Sequence, residues 1–266
     1  MNHISEILKN KRQSSTCALI PFVTAGYPNI DITIEVLHTL SRNGADIIEL
    51  GIPYSDALAD GPMIQQSSKI ALEQGVHVDQ VLSILSKTKS KLTAPIVIFT
   101  YYNPILARGI HKFIKEISCL DVKGLVIPDL PIEEMDYLIH LCSEYAIELI
   151  LFVAPTSPRH RILNILHKAP GCVYLVSSTG VTGIRSHLND QISILSSYIK
   201  SSTSKLIMLG FGISSPSQVS QLSSWDVDAL VIGSAFTRII ASELDHTSAV
   251  RSIGAFCSSI KAAIKT

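Results

Sequence analysis

Eight short apolar runs, each separated from the next by a segment of helical periodicity, constrain the fold more than any other feature of this chain. They are Leu19–Thr24, Ile47–Gly51, Ile96–Thr100, Leu125–Pro128, Leu149–Ala154, Val173–Ser177, Leu206–Gly210 and Ala229–Ile232. Each is nearly continuous in Ile, Val, Leu or Phe, the mark of a strand buried on both faces, as in a parallel sheet. Between them, Asp31 opens an apolar-periodic run to Leu40, and Pro131, Pro158 and Pro216 stand where a first helical turn tolerates proline. Acids follow at Glu133 and Glu134, which suits a helix start. Alternating strands and helices build right-handed βαβ units. Eight of them predict an α/β fold, a single (β/α)8 TIM barrel over residues 1–266. An open doubly wound sheet shares the alternation, but the count of eight and the late glycine turns favour closure. The long stretch after the second run leaves room for an extra helix between Met63 and Lys89, and Ile4–Asn10 reads as an extra N-terminal helix closing the lower end.

Composition removes several function classes. Lys plus Arg equals Asp plus Glu, 22 each, so no basic face is expected for nucleic acid or a membrane surface. The five cysteines are scattered and form no C-x-x-C pair, which points to buried thiols rather than a disulfide scaffold or zinc site. Met1 to Arg12 has no apolar signal core, and no uninterrupted apolar run approaches the ~18 residues of a membrane span. A cytoplasmic protein is expected.

A barrel carries its chemistry at the C-terminal ends of its strands. In the second run, Ile47, Glu49 and Gly51 share one face and Ile48 and Leu50 the other. If the Ile48/Leu50 face packs on helices, Glu49 points into the barrel mouth. There desolvation raises a carboxyl pKa and makes it an acid–base group near neutrality. The alternative is a structural acid paired with a buried cation. Asp60 follows a turn-rich connection, so it is either a second mouth carboxylate or the cap of a helix starting at Pro62. Glycine turns at Gly180–Gly183, Gly210–Gly212 and Gly233 end the last three runs. Three such turns on neighbouring strands point to a phosphate held by backbone amides. No G-x-S-x-G, H-E-x-x-H or P-loop motif is present, and no lysine stands at a strand end for Schiff-base chemistry.

The stretch Glu49-Leu50-Gly51-Ile52-Pro53-Tyr54-Ser55-Asp56, continued by Leu58-Ala59-Asp60-Gly61-Pro62, closely resembles the signature of tryptophan synthase α subunits. So do Pro21–Pro28, Tyr101-Tyr102-Asn103-Pro104, Pro128-Asp129-Leu130-Pro131, Gly180-Val181-Thr182-Gly183 and Gly210-Phe211-Gly212-Ile213, in the family's order along nearly the whole chain. The resemblance implies a lyase of tryptophan biosynthesis that cleaves indole-3-glycerol phosphate to indole and glyceraldehyde 3-phosphate. Glu49 matches the family's acid–base group, Asp60 the acid that binds the indole N–H, and Tyr174 a tyrosine beside the glutamate. Phe22, Phe99, Tyr101 and Phe211 match the indole pocket, with plain core packing the alternative for Phe99. Gly183, Gly212, Gly233 and Ser234 match the phosphate cradle and Thr182 the lid.

The resemblance further implies a β subunit that joins indole to serine with pyridoxal phosphate, in an α2β2 heterotetramer, and no cofactor in this chain. Pro53, Asp56 and Asn103 match the contact with that subunit. Two residues depart from the pattern. Ala57 replaces the usual proline, which should loosen the 56–60 loop, and Ser178 replaces the arginine of many members in the lid loop. A stand-alone indole-releasing lyase and a weakly catalytic allosteric partner of β would carry the same motifs.

Overall fold

The computed structural model describes residues 2–264 except 177–184, 211 and 244, and gives 185–190 as backbone only. Eight parallel strands close into a barrel: β1 (Ala18–Thr24), β2 (Ile48–Gly51), β3 (Ile96–Phe99), β4 (Gly124–Val126), β5 (Glu148–Val153), β6 (Val173–Val176), β7 (Ile207–Gly210) and β8 (Ala229–Ile232). They run in sequence order, and β1 pairs with β8 through Ala18↔Ala229 to Pro21↔Ile232. The expected closure is present; the open-sheet alternative is not.

Period-two alternation divides the strands between two cores. Ile48 and Leu50, Ile96 and Ile98, and Leu149, Leu151 and Val153 face outward onto the helices. Ile47, Val97, Phe99, Val126, Ile150 and Tyr174 fill the barrel itself. The lower end carries α1 (His3–Gln13), and the outer layer is built by α2 (Ile30–Arg42), α3 (Pro62–Glu73), α4 (Val78–Thr88), α5 (Tyr102–Arg108), α6 (Ile110–Cys119) and α7 (Asp136–Glu144). It continues through α8 (Arg159–Lys168), α9 (Arg185–Ser202), α10 (Pro216–Leu222), α11 (Ser234–Ser242) and α12 (His246–Ala263). No described helix is long and apolar enough to cross a membrane.

The extra helix after β2 is present because the 62–88 segment breaks in two. Gln74 ends α3, and Gly75, at φ +78°, turns the chain toward α4. Pro131 begins a short 3-10 turn over Ile132–Glu134 instead of a full helix, and α7 starts only at Asp136. The N-terminal helix closes the lower end as expected. Ile4 and Leu8, four residues apart on one face of α1, are fully buried in the barrel's inner core. Burying two such side chains contributes about 1.5–3 kcal/mol each.

Beneath them, carboxylates bind the starts of the strands. Glu148 accepts the Ser5 and Cys172 backbone N–H groups, both at 2.9 Å, and the Ser5 hydroxyl. Asp46 accepts the Leu19 N–H at 2.7 Å and pairs with Lys11 and Lys261. Asp228 accepts the Ile207 N–H at 2.7 Å and pairs with Lys200 and Arg12.

Candidate active site

At the opposite, C-terminal end the barrel opens into a recess of about 620 Å³. That lies within the ~300–1,000 Å³ typical of small-molecule sites. Glu49, Asp60 and Tyr174 line it together with Phe22, Phe99, Gly212, Gly233 and Ser234, so residues from β1, β2, β3, β6 and the β7 and β8 loops converge on one space.

Glu49 is 1% exposed. The alternation places it inward, since Ile48 and Leu50 take the helix-facing side and Glu49 pairs in register between Phe22 and Val97. Its Oε1 is buried and has no hydrogen-bond partner among the described residues. Burial, reinforced by the negative charge of Asp60, raises its pKa to about 8. At neutral pH it is a protonated acid. No ion pair among the described residues involves Glu49, so the structural alternative lacks its cation.

Asp60 is half-buried at the rim. It does not cap α3: Gly61 occupies the cap position, without a side-chain cap bond. Its Oδ2 instead accepts the Tyr101 hydroxyl proton at 3.1 Å. Burial raises its pKa to about 6, and the Tyr101 hydrogen bond pulls it back in part. The loop before it is held. Gln65 Nε2 donates to the Ala57 and Asp60 carbonyls at 3.1 and 3.0 Å, and the Tyr101 hydroxyl accepts the Ala59 N–H at 3.0 Å. Ala57 itself is buried. The loop around the alanine at position 57 is thus tied to Gln65 of α3 and to Tyr101, which follows β3.

Phe22 and Phe99 meet edge to face with centroids 5.6 Å apart, and both line the recess. Phe99 is thus core and wall at once. Tyr101, expected in the wall, lies behind it: it is 2% exposed and absent from the lining, and it reaches the recess only through Asp60. Tyr174 packs tilted against Phe152 at 4.7 Å. It also fills the space where a Cβ at Gly210 would stand, so β7 needs glycine there. Burial, then the charges of Glu49 and Asp60, hold the Tyr174 phenol well above its ordinary pKa, so it is neutral.

Gly212, at φ +80°, turns the chain after β7, and α11 starts at Ser234 with Gly233 as cap and no side-chain bond. First-turn amides of a helix have no intrahelical acceptor, so this end of the recess is suited to an anion. Thr182, Gly183 and Phe211, like Ser178, lie outside the described residues. Asp56 and Asn103 are exposed near the mouth, whereas Pro53 is buried. Leu58, beside them, is 90% exposed.

Phe152 and Ala154 also line the recess and are absent from the sequence-based set. The same alternation could have found them: Leu149, Leu151 and Val153 face outward, which leaves Ile150, Phe152 and Ala154 inward.

Comparisons with known proteins agree on one family. The sequence model described as tryptophan synthase alpha chain matches residues 8–265. The tryptophan synthase alpha chain of Gracilaria tenuistipitata var. liui is 58% identical, over 100% of this chain and 98% of that protein. The alpha chain of an Antithamnion species is 56% identical, over 99% of each. Among solved structures, tryptophan synthase from M. tuberculosis in an aminoacrylate-bound form superposes with a TM-score of 0.89 at 25% identity, covering 100% of both chains.

Proposed function

Since the chain belongs to the tryptophan synthase alpha chain family, we propose that its barrel mouth cleaves indole-3-glycerol phosphate to indole and glyceraldehyde 3-phosphate. The observation that carries the reading is the buried Glu49 carboxyl, whose Oε1 has no partner among the described residues and whose pKa is about 8, lining a recess with Gly233 and Ser234 at the start of α11.

The reaction follows from elementary chemistry. The Glu49 carboxylic acid gives its proton to the indole carbon that bears the glycerol chain, and the ring becomes a cationic iminium. The resulting carboxylate takes the proton of the adjacent side-chain hydroxyl. As the O–H electrons form the aldehyde carbonyl, the carbon–carbon bond breaks and its electron pair neutralises the ring. Glu49 ends protonated, ready for another cycle. Asp60, ionised above about pH 6, accepts the indole N–H and steadies the ring's positive charge. Two carboxyls whose surroundings push their pKa values apart divide the acid and anion roles. Gly212, Gly233, Ser234 and the first turn of α11 receive the phosphate, with Gly183 assigned beside them and Thr182 to the lid on family likeness. Phe22 and Phe99, with Phe211 on the same likeness, enclose the ring and exclude water, which strengthens the electrostatics inside.

No cofactor is required of this chain, because the protonated ring is itself the electron sink. The released indole passes to a β subunit, in an α2β2 assembly, whose pyridoxal phosphate joins it to serine. The rim around Asp56, Leu58 and Asn103 is the docking face. Indole release from purified chain, measured with and without β subunit, tests the reading. Slow release that β accelerates supports it. Rapid release without β indicates a stand-alone lyase, and β binding without any release indicates an allosteric partner.

A further inference from the structure

Tyr101 follows β3 and caps α5, yet its hydroxyl reaches across to the loop after β2. A phenol carries one proton. The Ala59 N–H can only donate, so at 3.0 Å the Tyr101 oxygen must accept from it. The phenolic proton is left for Asp60 Oδ2 at 3.1 Å. With the backbone as its donor and an ionised Asp60 able only to accept, Tyr101 donates to the carboxylate. The ring is held as well. Tyr54 stacks on it with centroids 5.1 Å apart, Phe99 meets its edge at 6.1 Å, and Asn103 Nδ2 donates to the Tyr54 hydroxyl at 3.0 Å.

We infer that Tyr101 is a positioning residue, which holds Asp60 as a carboxylate in fixed orientation and is itself locked by Tyr54 and Asn103. The inference rests on the proposed cleavage, because it is the developing ring cation that makes an oriented anion useful. A hydrogen bond to one carboxylate oxygen anchors that oxygen and favours the charged form of the group. The other described titratable groups acting on this pair are Glu49 from β2, Tyr174 from β6 and Asp129, which sits near Tyr101. Glu49 and Tyr174 are neutral at pH 7, and the charge of Asp129 works against the Tyr101 phenolate. Tyr101 thus remains a protonated donor throughout the working range, raised first by burial and then by the charge of Asp60.

The test is the pH dependence of kcat/KM for indole release in the β-bound enzyme, comparing wild type with Tyr101→Phe and Asn103→Ala. Phenylalanine keeps the ring and its stacking and removes only the hydroxyl. The acid limb of the profile should move to higher pH by about 0.5–1 unit in Tyr101→Phe, and in the same direction by less in Asn103→Ala. In an Asp60→Asn background, Tyr101→Phe should cost little further activity. An active wild type whose acid limb stays put in both variants, or full additivity of Tyr101→Phe with Asp60→Asn, overturns the inference alone. A wild type that releases no indole overturns the proposed cleavage and this inference with it.

Discussion

The two ends of the barrel treat buried carboxylates in opposite ways. At the lower end Glu148, Asp46 and Asp228 each accept a backbone amide at the start of a strand, and the two aspartates also face lysines. At the mouth Glu49 is equally buried, yet one oxygen has no described partner, and the charge that acts on it is that of another acid, Asp60. Glu49 and Glu148 have the same side chain and the same 1% exposure. Donors decide the difference. The donors around Glu148 bind strand starts together, whereas Glu49, buried with Oε1 lacking a partner among the described residues, keeps a proton it can deliver. Stability resides at one end and reactivity at the other.

The comparison breaks first if Glu49 proves dispensable. Glu49→Gln should lower indole release by roughly 10²–10⁴-fold while the chain stays folded, as loss of a general acid–base group does. Stability should respond to pH at the same residue. The folded pKa of about 8 lies above the ordinary 4.5, so the folded state holds a proton that the unfolded chain releases. Stability then declines as pH rises from about 5 to 8, by on the order of 3 kcal/mol at pH 7. Denaturant titrations across that range should show a smaller decline in Glu49→Gln; an identical slope would contradict the assignment.

Glu148→Ala sharpens the contrast from below. It strands the Ser5 amide and hydroxyl and leaves the Cys172 N–H only the Ser5 hydroxyl oxygen, and should cost about 1–3 kcal/mol in denaturant melts, with indole release by the folded fraction unchanged. The smallest effect is expected at Gln65→Ala, which frees the loop before Asp60. A loss of about 1 kcal/mol and a few-fold fall in kcat/KM are expected. Unchanged kinetics would show that the loop needs no tether.

How far the sequence carries depends on what each feature needs. The strands are legible because both faces of a parallel barrel are buried, so Ile96–Phe99 or Ala229–Ile232 can hardly be anything else. Glu49 is legible for the same reason, as one polar residue on an inward face. The split at Gly75 and the short 3-10 turn after Pro131 depend on local backbone choices that apolar periodicity does not encode. Asp60 is ambiguous in the sequence because its partner, Tyr101, comes from another strand end and 41 residues further on. Tyr101 reads as a wall residue from the family resemblance, but only the fold shows that its hydroxyl points at a carboxylate. Phe152 is legible from the same alternation along β5, since Leu151 and Val153 face outward.

The central claim is a protonated carboxyl at Glu49 in the resting enzyme at neutral pH. The most direct measurement is a carboxyl-resolved titration of the unliganded chain, by 13C NMR with glutamate labelled at the side-chain carbon, set against Glu49→Gln. The account predicts one glutamate that is still neutral at pH 7, titrates near pH 8 and is missing from the variant. Full ionisation of every glutamate by pH 6 would contradict it.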